Sequence, residues 1–505
     1  MDDYNQTGQS EMTYSPGRNR VTSLYAMMLA WQKAEPNKPC LCIDDAVYTY
    51  DVFMRDVQAE KEKLETYAQT QPPVIYRNSV YDQLTAWIAA IGAGLQPIIG
   101  HPDSDDTVRK ALEERLKEPS VRCDKADFGV LSSGSTGIPK ILWRRTASWT
   151  DFFPVQNEIF EVTTDTRLFL HGSMSFTGNL NALLAVWYAG GTVVTSAYLR
   201  PRSWLKVMAR YAITHIYLLP TKLRLLMEVI PIGKKNTMDT AEADSTAEVD
   251  SPAEIDSTDE VKQRTAPAAA KQRIASAAVK QEIAPTEVRQ RVTAELSSLR
   301  MIFAGSQMLD TNLMYHLQRL WPQARFILYY GASELNYVTY CTAEEWLLEP
   351  NTVGRPFPGV TVTVDEDHMI YVTSPYTIEG VACPFSVGDK GWFSSSGRLM
   401  FEGRGGAVIN RGGYKLSVPL LEKKIQELDG VAEAVVIGQP DALRGEEPVA
   451  FIQCEPGYTE TMIKKAMTKV LSVQEMPHRI IGVEEIPLTA GSKIDKRQLL
   501  RLLET

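Results

Sequence analysis

The sequence predicts an α/β protein of at least two domains, and three observations predict it. The chain has 505 residues, too many for one hydrophobic core. Strand-like and helix-like segments alternate along it, the pattern of parallel sheets covered by helices. Short strand signals recur late in the chain, around Val431–Val436 and Pro448–Ile452. At 44% apolar and 23% charged residues, the composition is that of an ordinary soluble protein.

Residues 1–20 are polar, with acids near the start, and read as a disordered tail rather than a signal or transit peptide. Leu41–Ile43 and Val47–Tyr50 flank Asp44-Asp45 as a hairpin, and Asp51 opens a helix with Phe53, Val57 and Leu64 on its apolar side. A helix over Gln83–Gly94 and a short strand over Gln96–Ile99 follow. Leu168–Leu170 and Gly191–Thr195 read as strands around a helix from Leu180 to Tyr188. The long uncharged run Leu168–Leu199 is broken by glycines and asparagines and is no membrane span, so a soluble, cytoplasmic protein is expected.

The ten residues Leu131–Lys140, LSSGSTGIPK, stand between two apolar runs, so strand, polar loop, strand is the local reading. Gly134 and Gly137 let backbone amides turn toward one centre, while Ser132, Ser133, Ser135, Thr136 and Lys140 add hydroxyls and a charge. Such a nest suits a polyphosphate; a plain polar hairpin turn reads the same residues equally well. A Walker loop is excluded, because Ile141 rather than Ser or Thr follows the lysine and a strand rather than a helix continues.

From about 233 to 292 a six-residue repeat carrying only acids gives way to a mostly basic nine-residue repeat, without aromatics. Such a segment cannot bury a core and reads as an expanded surface loop, with a docking segment as the alternative. The 53 Lys and Arg against 62 Asp and Glu give a net charge of -9, which argues against a nucleic-acid partner. Six scattered cysteines without a CxxC pair indicate free thiols and no zinc site. His171 and His215 have no second ligand at metal spacing and read as packed or surface histidines.

Later stretches repeat one theme. Leu299–Ser306 is a strand ending in the small-residue turn Gly305-Ser306; Tyr330-Gly331-Ala-Ser333-Glu334 follows another strand; Gly388-Asp389, Gly403-Arg404, Gly405-Gly406 and PLTAGSKID around Lys493 come after. In this order and spacing the chain resembles the adenylate-forming superfamily: acyl-CoA synthetases, adenylation domains and luciferases. The resemblance covers roughly residues 20–230 and 295–503. It implies a large multi-subdomain N-terminal adenylate-forming domain, residues 21–404 including the insertion, and a small mobile α+β C-terminal domain, residues 405–505.

The resemblance also implies roles. Ser132 to Gly137 and Lys140 would hold ATP phosphates, and Glu334 the Mg²⁺. Gly305, Ser306, Tyr330, Gly331 and Ser333 would meet adenine, and Asp389 and Arg404 the ribose side. Gly405 and Gly406 would form the hinge, and Lys493 would meet charge developing at the α-phosphate. His171, Phe176 and Thr177 fall where the family places a wall of its acyl pocket. A neutral Thr177 stands where amino-acid-activating members carry Asp, so an α-amino acid is not the expected substrate. The implied activity joins a small-molecule carboxylic acid to a thiol through acyl-AMP, CoA being the leading acceptor. Loading a carrier-protein phosphopantetheine is the alternative, and a non-catalytic nucleotide-binding scaffold the remoter one.

Overall fold

A computed structural model describes residues 21–66, 72–104, 106–132, 139–230, 292–305, 311–404, 408–411, 414–441, 444–489 and 494–503. The expected tail, and the expected insertion apart from Val292, lie outside the described residues.

The first part of the chain runs α1 (Leu24–Ala34), β1 (Pro39–Ile43), β2 (Ala46–Thr49), α2 (Tyr50–Thr66), β3 (Val74–Ile75), α3 (Val80–Gly92), β4 (Ile98–Ile99), α4 (Asp106–Lys117), β5 (Phe128–Ser132) and β6 (Lys140–Arg144). Then come α5 (Ala147–Thr150), α6 (Phe153–Ile159), β7 (Arg167–Leu170), α7 (Thr177–Tyr188), β8 (Thr192–Thr195), α8 (Pro201–Arg210), β9 (His215–Tyr217) and α9 (Pro220–Glu228). Next are β10 (Met301–Gly305), α10 (Thr311–Leu320), β11 (Arg325–Ala332), β12 (Asn336–Thr342), α11 (Ala343–Leu348), β13 (Thr352–Pro356), β14 (Thr361–Val364), β15 (Ile370–Thr373), β16 (Asp389–Phe393) and β17 (Leu399–Arg404).

Among the described residues the largest sheet has eleven strands in the order β16-β17-β13-β12-β11-β10-β9-β7-β8-β1-β2. Its centre, from β1 to β11, is parallel, as the helix-strand alternation predicts. Its two ends are antiparallel, which the alternation does not predict. The reason is connection length: the Asp44-Asp45 turn and the turn after Ala332 are too short for a parallel crossover. The central β8 is buried along its whole length, and its Thr-Val-Val-Thr run suits a strand covered on both faces. A second, four-stranded sheet, β3-β4-β5-β6, ends in the antiparallel β5–β6 hairpin, in register Ser132 with Lys140.

The helix predicted over 83–94 begins three residues earlier, because Ser79 caps it through a hydrogen bond from Asp82 N–H. Helix α7 begins at Thr177 rather than Leu180, so Thr177 is a first-turn helical residue. Strands β9 and β10 are neighbours in register, so the chain leaves and re-enters one side of the sheet around the insertion. Ile230 and Val292 lie in the same apolar cluster there.

The C-terminal unit comprises β18 (Val408–Arg411), β19 (Tyr414–Ser417), α12 (Val418–Gln426), β20 (Val431–Asp441), β21 (Gly445–Cys454), α13 (Glu460–Val470), β22 (Arg479–Val483) and α14 (Lys496–Arg501). Its own sheet, β19-β18-β21-β20 with β22 on β21, packs its own apolar cluster around Ile425, Val436 and Ile463. This is the α+β unit expected beyond residue 404.

Candidate active site

One cavity of about 830 Å³ lies where the C-terminal unit meets the large domain. Ser132 and Lys140, the two ends of the β5–β6 hairpin, line it. Residues 133–138, which carry the rest of the expected phosphate loop, lie outside the described residues.

Opposite stands the turn after β11. Tyr330, Gly331, Ser333 and Glu334 all line the cavity. Gly331 is required sterically: a Cβ there would sit 2.4 Å from the Asn336 carbonyl. The Tyr330 hydroxyl donates to Asp389 Oδ2 at 2.8 Å, a buried bond that orients the carboxylate, and Asp389 lines the cavity. Gly388, at φ +86°, turns the chain into β16 so that Asp389 arrives there. Arg404 ends β17 opposite Asp389 in the ladder. Gly305 ends β10 against the Tyr329 ring and does not line the cavity. Ser306, Gly405, Gly406 and Lys493 lie outside the described residues; Ile494, the residue after Lys493, lines the cavity.

Phe176 and Thr177 line the same cavity. Phe176 bridges to Leu131, and the Thr177 hydroxyl donates to the Leu131 carbonyl at 3.3 Å and accepts from Ser333 Oγ at 3.4 Å. Thr177 thus ties the hairpin to the Ser333–Glu334 turn. His171, expected in the acyl wall, is not among the residues that line the cavity. The chain turns at Gly172, φ +121°, between the two. His171 is packed instead, with Nε2 on the Tyr198 carbonyl at 3.1 Å and its ring 4.5 Å from that of Trp204. Burial, with Lys222 nearby, pushes its pKa down to about 3. His215 is likewise packed, between Thr214 and the Phe160 carbonyl.

Several cavity residues carry no motif. Arg144, at the end of β6, is fully buried. It donates through Nη1 to Ser148 Oγ at 3.0 Å and the Tyr376 carbonyl at 3.3 Å, and through Nη2 to the Ser333 carbonyl at 2.6 Å. Burial lowers its pKa to about 9, while the Glu334 carboxylate favours its charge. Arg144 therefore holds the turn that carries Glu334. Arg145 pairs with Glu379, and the Glu334 carbonyl accepts from Ile378 N–H at 3.0 Å, so a distant loop braces the same turn. Only the unusual charged pair ending an apolar strand hints at this in the sequence.

The C-terminal unit closes the other side. Arg224 on α9 donates to Glu433 Oε2 at 2.5 Å and to Gln426 Oε1 at 3.2 Å. Lys423 reaches Asn351 Oδ1 at 2.7 Å and lies 5.0 Å from the Trp346 ring centre. Glu422 lines the cavity; burial pushes its pKa up to about 7, against opposing help from Lys496 and the Val436 N–H.

Residues 32–381 match the family model for AMP-binding enzymes, and residues 420–493 the model for the AMP-binding enzyme C-terminal domain. The chain belongs to this family, within the adenylate-forming superfamily. It is 24% identical over 403 residues to the uncharacterized acyl-CoA ligase YhfT of Bacillus subtilis, across 76% of this chain and 70% of that protein. It is 21% identical to the putative long chain fatty acid-CoA ligase VraA of Staphylococcus haemolyticus, across 78% and 73%. The fold matches the anthranilate-CoA ligase AuaEII with a TM-score of 0.73 at 16% identity, across 95% of this chain and 97% of that one. It matches the o-succinylbenzoate CoA synthetase of Bacillus subtilis with a TM-score of 0.71 at 15% identity, across 94% and 97%. The chain is an AMP-forming acid–thiol ligase. Among the described residues no helix is long and apolar enough to cross a membrane.

Proposed function

We propose that this cavity activates a small carboxylic acid as acyl-AMP and then transfers the acyl group to the thiol of CoA. The observation that carries the reading is that Lys140 and Glu334, 194 positions apart, line one cavity together with the Tyr330–Asp389 pair and Ile494. A carboxylate oxygen of the acid attacks the α-phosphorus of ATP; pyrophosphate leaves, and acyl-AMP remains. The thiol then adds to the acyl carbon and AMP departs.

Lys140 and Ser132 bind phosphate oxygens. Asp389, oriented by the Tyr330 hydroxyl, accepts from the ribose diol. Lys493 stabilises the charge that gathers between the acid and the α-phosphate. Glu334 fits Mg²⁺ by its donor chemistry: a hard cation binds through one or two carboxylates plus the substrate phosphates. Among the described residues no cluster of three metal-binding side chains offers a cage instead. Mg²⁺ would neutralise charge on the phosphates.

The test is ATP-dependent pyrophosphate release across aliphatic, aromatic and amino acids, each with CoA, with a holo carrier protein, or with neither. The expected result is release with simple acids and thioester only with CoA. Lys493→Ala should lose adenylation by ~10² to 10³ yet still thiolate supplied acyl-AMP. Robust exchange with proteinogenic amino acids alone would overturn the assignment of Thr177, and thioester on the carrier protein alone that of CoA.

A further inference from the structure

Helix α7 runs from the Ser333–Thr177 contact into the core and carries a polar residue that the fold itself does not use. Asn181 lies four positions after Thr177, on the same helix face. It is only 2% exposed and lines the cavity. Among the described residues neither its Oδ1 nor its Nδ2 has a hydrogen-bond partner. Other buried amides are at least half used: Asn179 Nδ2 donates to the Ser173 carbonyl at 3.1 Å, and Asn157 Nδ2 to the Ala185 carbonyl at 2.9 Å, although Asn157 Oδ1 is also without a partner among the described residues. Neither of those two lines the cavity.

A buried amide left unpaired destabilises a fold, and native proteins seldom keep one without a use. Trp149, Phe176 and Tyr337 line the same cavity, beside the polar Thr177, Ser333 and Asn336 and the charged Arg144 and Glu334. Tyr329, also in the lining, joins hydroxyls with Tyr217 at 2.7 Å, and Gly178 makes room, since a Cβ there would lie 2.3 Å from the Tyr217 oxygen. Helix α7 carries no charged residue, so it offers nothing to pair with an ammonium or a second carboxylate.

We infer that Asn181 recognises a neutral group that both donates and accepts, a hydroxyl or an amide, on a compact carboxylic acid. The inference rests on the adenylation reading above. The reacting carboxylate would lie near Thr177, beside Ser132 and Ser333, and one helical turn separates that residue from Asn181. The recognised group therefore stands ~5 Å from the carboxylate. The aromatic rings of Trp149, Phe176 and Tyr337 suit a flat or short acid.

The experiment compares matched acids, benzoate with 3-hydroxybenzoate and pentanoate with 4-hydroxypentanoate, by ATP-dependent pyrophosphate release. Wild type should favour the hydroxylated member, by up to ~10⁴ in kcat/KM where the pocket is built around that bond. Asn181→Leu, close in volume, should invert the preference; Asn181→Ala should at least abolish it. The ratio within a pair is insensitive to the amount of folded enzyme. As a readout independent of turnover, each free acid is tested for raising the Tm of wild type, and only the hydroxylated members should do so. Ratios near one in wild type, or an unchanged ratio in Asn181→Leu, overturn the assignment of Asn181 while leaving adenylation standing. No ATP-dependent release with any acid overturns the adenylation reading itself, and the inference with it.

Discussion

Arg224→Gln is the perturbation that most directly tests how the two domains cooperate. Arg224 belongs to the large domain, Glu433 and Gln426 to the C-terminal unit, and their side chains meet at the edge of the cavity. The two charged side chains are 15% and 11% exposed, so both have left most of their water. Glu433 is held from its own side as well, through bonds from Gln426 and the Ala434 N–H. Breaking one partner of a buried pair costs ~3–5 kcal/mol, chiefly by stranding the other charge. With the residual exposure, ~2–3 kcal/mol is the fitting figure. At 1.4 kcal/mol per factor of ten, that shifts domain closure by ~30- to 150-fold. If this orientation, which brings Ile494 to the cavity, is the one that serves Lys493, acyl-AMP formation should fall by that factor. Thiolation of supplied acyl-AMP should be spared. Glu433→Gln should behave alike, and the double variant should cost little more than either single one. The assay is single-turnover pyrophosphate release beside thioester formation from synthetic acyl-AMP. Equal losses in both half-reactions at unchanged Tm, or strictly additive single losses, would refute the reasoning.

Three further outcomes follow from the same geometry. Arg144→Met removes a buried cation with three hydrogen bonds and should lower stability by ~3–5 kcal/mol in urea titration, with a raised Mg²⁺ requirement for pyrophosphate release because the Glu334 turn loosens; Arg144→Lys, which keeps charge without the fork, should fall between, and a normal Mg²⁺ requirement in both would sink the positioning role. Glu422 has a folded pKa of about 7, above its unfolded value of ~4.3, so the folded state binds the extra proton and stability should fall as pH rises from ~4.3 to 7, then level; Glu422→Gln should flatten that part of the Tm profile, and an unchanged slope would count against it. Asn181→Leu should raise stability by ~1–3 kcal/mol, because it removes an unpaired buried amide, and a loss of stability would mean the amide is satisfied in solution.

What the sequence by itself determined is local. The β5–β6 hairpin, the β1–β2 turn at Asp44-Asp45, the parallel alternation and the small final α+β unit are set by turn residues and by runs of apolar side chains. Each signal sits within a dozen residues of what it specifies. Glu334, Tyr330, Asp389 and Lys140 were singled out through the resemblance of their turns to a known family, and all four line the cavity.

What only the tertiary structure decided is which distant groups face each other. Arg144 reads as one more strand residue until Ser333 and Tyr376 arrive at its guanidinium. His171 and Phe176 stand five apart in one stretch, yet the turn at Gly172 sends one to Trp204 and the other to the cavity. The antiparallel ends of the large sheet, the Arg224–Glu433 contact and the unpaired Asn181 amide are legible only in the folded chain. The reason is physical: burial and pairing are properties of the space between segments. A sequence window records what a side chain can do, while the packing of remote segments settles whether its hydrogen bonds and charge are met by protein or left for a substrate.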